Sequence, residues 1–159
     1  MPIEEKIAKA LIKQRKTLAT AESCTGGLLA NRLTNIPGSS AFYKLGLILY
    51  ANETKAKLLN IPSGLMKKHG AVSEHVAMAM AQNVRRIHKT DYGIGITGIA
   101  GPTGGTKTKP VGLVYIAVSA KHETICLTCQ FSGKRTAVKS KSATQALKLL
   151  WEFLFAPLI

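Results

Sequence analysis

Lys55 is the residue whose position most asks for a chemical role. Asn52 reads as a helix N-cap, which puts Lys55 at the third helical position, inside the positive end of the macrodipole where a cation is disfavoured. A solvated surface lysine there costs only a few tenths of a kcal/mol. With partial burial added, the amine loses its proton more readily and can serve as a general base. Tyr50, closing the preceding strand, can bring its hydroxyl beside Lys55. Ser23 lies in a strand-to-helix turn beside Cys24 and the pair Gly26-Gly27, while Ser39 and Ser40 fall in a loop. Serine at a helix start is also an ordinary cap, and serine in a loop an ordinary turn residue. A serine with a lysine base and no histidine suits amide hydrolysis.

The stretch Thr97–Gly112, TGIAGPTGGTKTKPVG, follows a short alternating run from Tyr92. Six of the fourteen glycines fall between Gly93 and Gly105, so the backbone there approaches something closely or takes positive φ. Pro102 and Pro110 restrain the loop, which mere flexibility would not require, and Lys107 and Lys109 give it positive charge. A glycine loop at the carboxyl end of a strand is where open α/β sheets bind ligands. Neither a complete P-loop nor a complete dinucleotide fingerprint is present, so phosphate cradling rests on glycine density alone. The histidines (His69, His75, His88, His122) share no ligand spacing, and Cys126 and Cys129 would point to opposite faces of a strand. No metal is expected, and the thiols read as buried structural cysteines.

With 159 residues, 46% of them hydrophobic, the chain can build one domain, 1–159, with a real core. No apolar run approaches a membrane span, and the N-terminus shows no signal-peptide core, which points to the cytoplasm. Three cysteines fit reduced thiols. The net charge of +14 attracts polyanions, but the lysines are spread along the chain and aromatics are only 6%. The face Lys134, Lys141, Lys148 reads as a solvated helix surface, and nucleic acid is not the expected partner. The apolar run 151–159 exceeds what one helix face needs and hints at a dimer contact.

These groups must be positioned by alternating elements. Helices are expected over 3–14, from the turn 22–27 onward with Leu28, Leu29 and Leu33 inward, over 53–59, after Ser73 with Val76, Met80, Val84 and Ile87 on one face, and over about 134–155. Strands are expected over 16–21, 45–51 (covered on both faces), 92–97, 112–119 and 124–131, the last two as an antiparallel hairpin. The result is a three-layer α/β/α sandwich on a mixed, mostly parallel sheet.

TLATAESCTGGLLANRLTNIPGSSAFY, LYANETKAKLLNI, HGAVSE and TGIAGPTGGTKTKPVG resemble the CinA C-terminal domain family, over nearly the whole chain. The resemblance implies a nicotinamide-nucleotide amidase needing no cofactor, which turns nicotinamide mononucleotide into nicotinate mononucleotide and ammonia. It implies Ser23, Ser40, Tyr50, Lys55 and Thr97 as catalytic residues, with Ser40 favoured as nucleophile, Ser23 relaying and Lys55 as base. It implies Arg135, with Lys109, at the 5′-phosphate, and Gly26, Asn52, Gly98 and Gly101 around the substrate. A dimer is implied as well. Gly133-Lys134-Arg135 stands where the family has G-D-R, and Ala51, Thr108 and Lys139 also depart from its pattern. Those departures leave a second possibility open, a nucleotide-binding or regulatory protein without turnover.

Overall fold

The computed structural model describes residues 1–156. In chain order it contains α1 (Ile3–Gln14), β1 (Leu18–Glu22), α2 (Leu28–Thr34), a short 3-10 turn (Ser39–Ala41), β2 (Tyr43–Ile48), α3 (Asn52–Leu59), α4 (Ser63–His69), α5 (Glu74–Ile87), β3 (Tyr92–Gly98), β4 (Leu113–Ser119), β5 (Thr124–Gln130) and α6 (Arg135–Leu154). The sheet order is β2-β1-β3-β4-β5. β1 pairs in parallel with β2 and β3, and the β3/β4 and β4/β5 pairs are antiparallel. Only β4 therefore runs against the other strands, and β4–β5 forms the expected hairpin.

Two apolar layers enclose the sheet. Ile7 and Leu11 of α1, Leu29 and Leu33 of α2, and Val138, Ala146, Leu147 and Leu150 of α6 pack on one face against Leu18, Ile94, Ile96 and Val114. On the other face Val76, Met80 and Val84 of α5 meet Ala19, Ala21, Leu49 and Leu59. Leu29, Leu33, Val76, Met80 and Val84 are inward positions expected from helical spacing, since residues three and four apart share one stripe. Cys126 packs towards α5 and Cys129 towards α6, on opposite faces as their odd separation on a strand requires.

Four local expectations are corrected. β2 is not covered on both faces: it is an edge strand, with Lys44, Gly46 and Ile48 exposed and Tyr43, Leu45 and Leu47 half-buried. Its apolar look comes from Ile48, which is left in solvent at 56% exposure. Ile87 sits in the last turn of α5 and is 49% exposed, outside the stripe it seemed to continue. α4 was not expected, because Pro62 reads as a stop; the proline instead occupies the cap position that starts the helix. Finally, Trp151, Phe153 and Leu154 lie partly buried against the molecule's own core, and Phe153 stands edge-on to Tyr92 at 6.2 Å. That accounts for much of the apolar excess at the end of α6; residues 157–159 of that run lie outside the described residues.

Gly93 and Gly95 explain a third of the glycine density, and not through a ligand. A Cβ at either position would collide with the Ala81 or Ala77 carbonyl, because α5 lies directly on β3. Gly98 is likewise crowded by Leu113 and Val114 of the neighbouring strand. Most of these glycines serve internal packing.

Candidate functional site

The carboxyl ends of β1, β2 and β3 meet at one edge of the sheet. After β1 the chain passes to α2 on one face, and after β2 it passes through α3–α5 on the other. The end of β1 is thus the point where the connections diverge, the usual place for a crevice in an open α/β sheet. A cavity of about 250 Å³ opens there, lined by Ser23, Tyr50, Asn52, Lys55, Thr97 and Arg135. Backbone from Ala71–Val72 and from Gly98–Gly101 forms much of the remaining wall.

Ser23 sits where β1 breaks into its turn. Its N–H donates to the Ile96 carbonyl at 3.0 Å, which ties the turn to β3. The turn itself is organised by Glu22, a carboxylate only 1% exposed. Glu22 accepts from the Thr25 hydroxyl at 2.6 Å, the Leu29 amide at 2.9 Å and the Ala30 amide at 3.0 Å. A negative side chain satisfies the orphan amides of α2 and lies at the positive end of its dipole. Glu22 was missed as part of the site. The available signal was an acid ending a buried strand one turn before a helix, the arrangement in which carboxylates cap helix N-termini.

Lys55 reaches the cavity from α3. Ala51, not Asn52, holds the cap position, and no side chain caps the helix. Lys55 therefore stands at the fourth helical position rather than the third, still within the first turn. It shares the inward face with Leu59 one turn later and is only 1% exposed. Its amine lies 3.2 Å from the Ser23 hydroxyl oxygen and donates to the Leu49 carbonyl at 3.0 Å. Among the described residues the ion pairs are Lys16–Asp91 and Arg32–Glu4, so Lys55 has no carboxylate partner. Burial pulls its pKa below the ordinary lysine value, against a smaller opposing effect of the Cys24 thiol. Burial also pushes the Cys24 thiol up to about 11, which leaves it protonated and a poor nucleophile beside Ser23.

Thr97 is 1% exposed, and its hydroxyl donates to the Ala71 carbonyl at 2.8 Å. With its one proton engaged, it offers the cavity an acceptor rather than a donor. Arg135, at the start of α6, spans the cavity mouth: it donates to the Gly101 carbonyl at 2.7 Å and to the Tyr50 hydroxyl at 2.6 Å. Tyr50, otherwise 61% exposed, is thereby held across the opening with its own proton free to donate.

Three expected site residues are not at the cavity. Ser40 lies in the 3-10 turn before β2, at the opposite end of that strand from Lys55. Six strand residues separate the two ends, roughly 20 Å at the usual rise. Its carbonyl instead receives the Lys44 amine at 2.6 Å. Lys109 is turned away as well: its amine donates to the His69 carbonyl and does not line the cavity. Gly26 holds a left-handed bend at φ 58° on the exposed side of the turn, near the Lys139 amine. Asn52, Gly98 and Gly101 do line the cavity.

Lys134, which replaces the acidic residue of the family pattern, occupies the cap position of α6 without a capping bond. Arg135 is oriented by Gly101 and Tyr50, so the missing acid deprives α6 of a cap rather than Arg135 of a partner.

Among the described residues, no helix is long and apolar enough to cross a membrane. The family model for the CinA C-terminal domain matches residues 1–154. A CinA-like protein from Syntrophus aciditrophicus is 47% identical over 97% of this chain, and a putative competence-damage inducible protein from Moorella thermoacetica 49% identical over 96%. This chain spans 37% of the length of each of those relatives. Among solved structures, the competence damage-inducible protein A from Klebsiella pneumoniae superposes with a TM-score of 0.94 at 33% identity, covering 97% of this chain and 96% of that one. A competence/damage inducible protein from Agrobacterium tumefaciens superposes with a TM-score of 0.88 at 34% identity, covering 95% of both chains. The chain belongs to the CinA C-terminal domain family.

Proposed function

We propose that the cavity hydrolyses a carboxamide, that of nicotinamide mononucleotide, with Ser23 as nucleophile and Lys55 as general base. The observation that carries this is the buried Lys55 amine, without a carboxylate partner among the described residues and 3.2 Å from the Ser23 oxygen. An amine whose charged form is disfavoured by burial can accept the serine proton. Ser23 oxygen then bonds to the amide carbon while its proton passes to Lys55. Collapse of the tetrahedral adduct breaks the C–N bond, and the proton leaves Lys55 with the departing ammonia. Water, deprotonated by Lys55 in turn, cleaves the ester to nicotinate mononucleotide and restores Ser23. Thr97, as an acceptor, suits an N–H of the carboxamide, and Tyr50 as a donor suits its oxygen or the sugar. Arg135 suits the 5′-phosphate, exchanging the Gly101 carbonyl for a stronger anionic acceptor.

The test is ammonia release from nicotinamide mononucleotide by the purified protein, with Lys55→Ala as control. Release that disappears in the variant supports the assignment, and no release at high protein concentration overturns it. Arg135 being already engaged by Tyr50 and Gly101 favours a second reading, a module that binds nucleotide without turning it over. Saturable binding without ammonia release would select that one.

A further inference from the structure

A second recess, of about 270 Å³, opens at the far end of the sheet from Ser23 and Lys55, between the last turns of α5 and the β4–β5 hairpin. Arg85, Arg86, Lys121 and His122 line it with Glu123, and Gln82, Ser119 and Thr124 supply neutral polar groups. Ser119 pairs with Gly93 at the start of β3, whereas Thr97 stands at its end. Four residues of the strand, roughly 13 Å, therefore separate the level of the recess from that of the first cavity.

The Nε of Arg85 is buried, and among the described residues it has no hydrogen-bond partner. Native structures nearly always relieve such a group with a protein acceptor, an ordered water or an ion. The recess also carries unbalanced charge. None of Arg85, Arg86 and Lys121 belongs to either ion pair of the described residues. Three cations against the one acid, Glu123, leave a net +2 with His122 neutral. Cations in a last helical turn are ordinary, because they complement the dipole. That preference is met by exposed side chains and does not call for a buried guanidinium N–H. The helix end contributes about half a negative charge, which two net positive charges outweigh.

The polar groups are already fixed in place. The Gln82 amide donates to the Thr124 hydroxyl at 3.2 Å, which donates to the Ser119 hydroxyl at 2.9 Å. A compact dianion matches this better than a carboxylate, which would leave one positive charge uncompensated. We propose that the recess is a second anion site, which binds phosphate, free or as the phosphomonoester end of a small metabolite, anchored by Arg85.

The test follows backbone amide shifts of Gly93 and of residues 119–124 in the full chain as inorganic phosphate, and separately glycerol phosphate, is added at constant ionic strength. Saturating shifts at those amides are expected, and tighter binding of the ester would identify the metabolite as the source. Acetate should not compete. Arg85→Gln should weaken binding about tenfold or more, since it removes charge-assisted hydrogen bonds. Arg135→Gln, at the other cavity, should leave these shifts unchanged. Absence of saturation at millimolar phosphate, or an affinity that Arg85→Gln does not alter, overturns the proposal. Should Arg85→Gln fail to fold, unaltered affinity in both Arg86→Gln and Lys121→Gln overturns it equally.

Discussion

Two serine-bearing turns lie at opposite ends of the β1/β2 pair. Both are rich in glycine and serine, and both pass from one element to the next within a few residues. The turn at residues 23–27 follows β1, buries Ser23 to 8% exposure and is fastened from within by Glu22. The turn at 38–41 precedes β2 and leaves Ser40 in solvent. Because β1 and β2 are parallel, everything that follows a strand gathers at one edge and everything that precedes one gathers at the other. Lys55 follows β2, so it meets the serine that follows β1. Strand direction, not residue type, decides which serine meets the buried lysine.

The sharpest way to break that comparison is to remove each serine in turn. Ser23→Ala is expected to lower ammonia release by about a thousandfold or more, the scale of losing an activated nucleophile, and Lys55→Ala by about a hundredfold or more, that of losing a general base. Ser40→Ala should change the rate only marginally. A dead Ser40→Ala beside an active Ser23→Ala would reverse the assignment. Rate should also rise with pH as Lys55 loses its proton, with a midpoint below the ordinary lysine value.

The internal fastening of the first turn can be tested through stability. Glu22→Gln removes charge-assisted bonds to three buried or half-buried donors and should cost about 2 kcal/mol in denaturant unfolding. A loss no larger than that of an exposed substitution would mean that the turn holds itself. Lys55→Met should act in the opposite direction, stabilising the fold by about 1 kcal/mol near neutral pH while abolishing activity. The sign follows from linkage: the unfolded chain holds the Lys55 proton more tightly, so falling pH favours it. The penalty is absent above the unfolded pKa of about 10.4 and grows as pH falls toward the lower folded value. The gain from Lys55→Met should shrink toward alkaline pH; a gain independent of pH would point to packing instead. The smallest effect concerns α6, whose amino end lacks the carboxylate that α2 enjoys. Lys134→Asp should add about 1 kcal/mol by supplying a cap, read as a rise in melting temperature.

Much of this architecture is legible in the sequence, because helical stripes such as Val76, Met80, Val84 leave a period that packing then honours. β2 misled because an edge strand with an exposed isoleucine reads like a buried one; sheet order is a long-range property that no local pattern carries. At the site, the abnormal position of Lys55 could be read, since a cation near a helix start conflicts with the dipole. The partner of Lys55 could not. Ser23 and Ser40 are equivalent in local chemistry, and only the crossover geometry separates them. The misplacement of Lys109 has the same origin: its amine ends at the His69 carbonyl, a contact formed across forty residues of chain.

The bare backbone at Gly93 and Gly95 has a mechanical consequence for the cavity. Where α5 rests on β3 without intervening side chains, there are no rotamers to yield between them. The helix therefore behaves as a splint laid along the strand, and its leading end carries the Ala71–Val72 wall towards Thr97. A single added methyl at either glycine would lever that splint outward. The cavity would then lose its shape, although no residue lining it had changed.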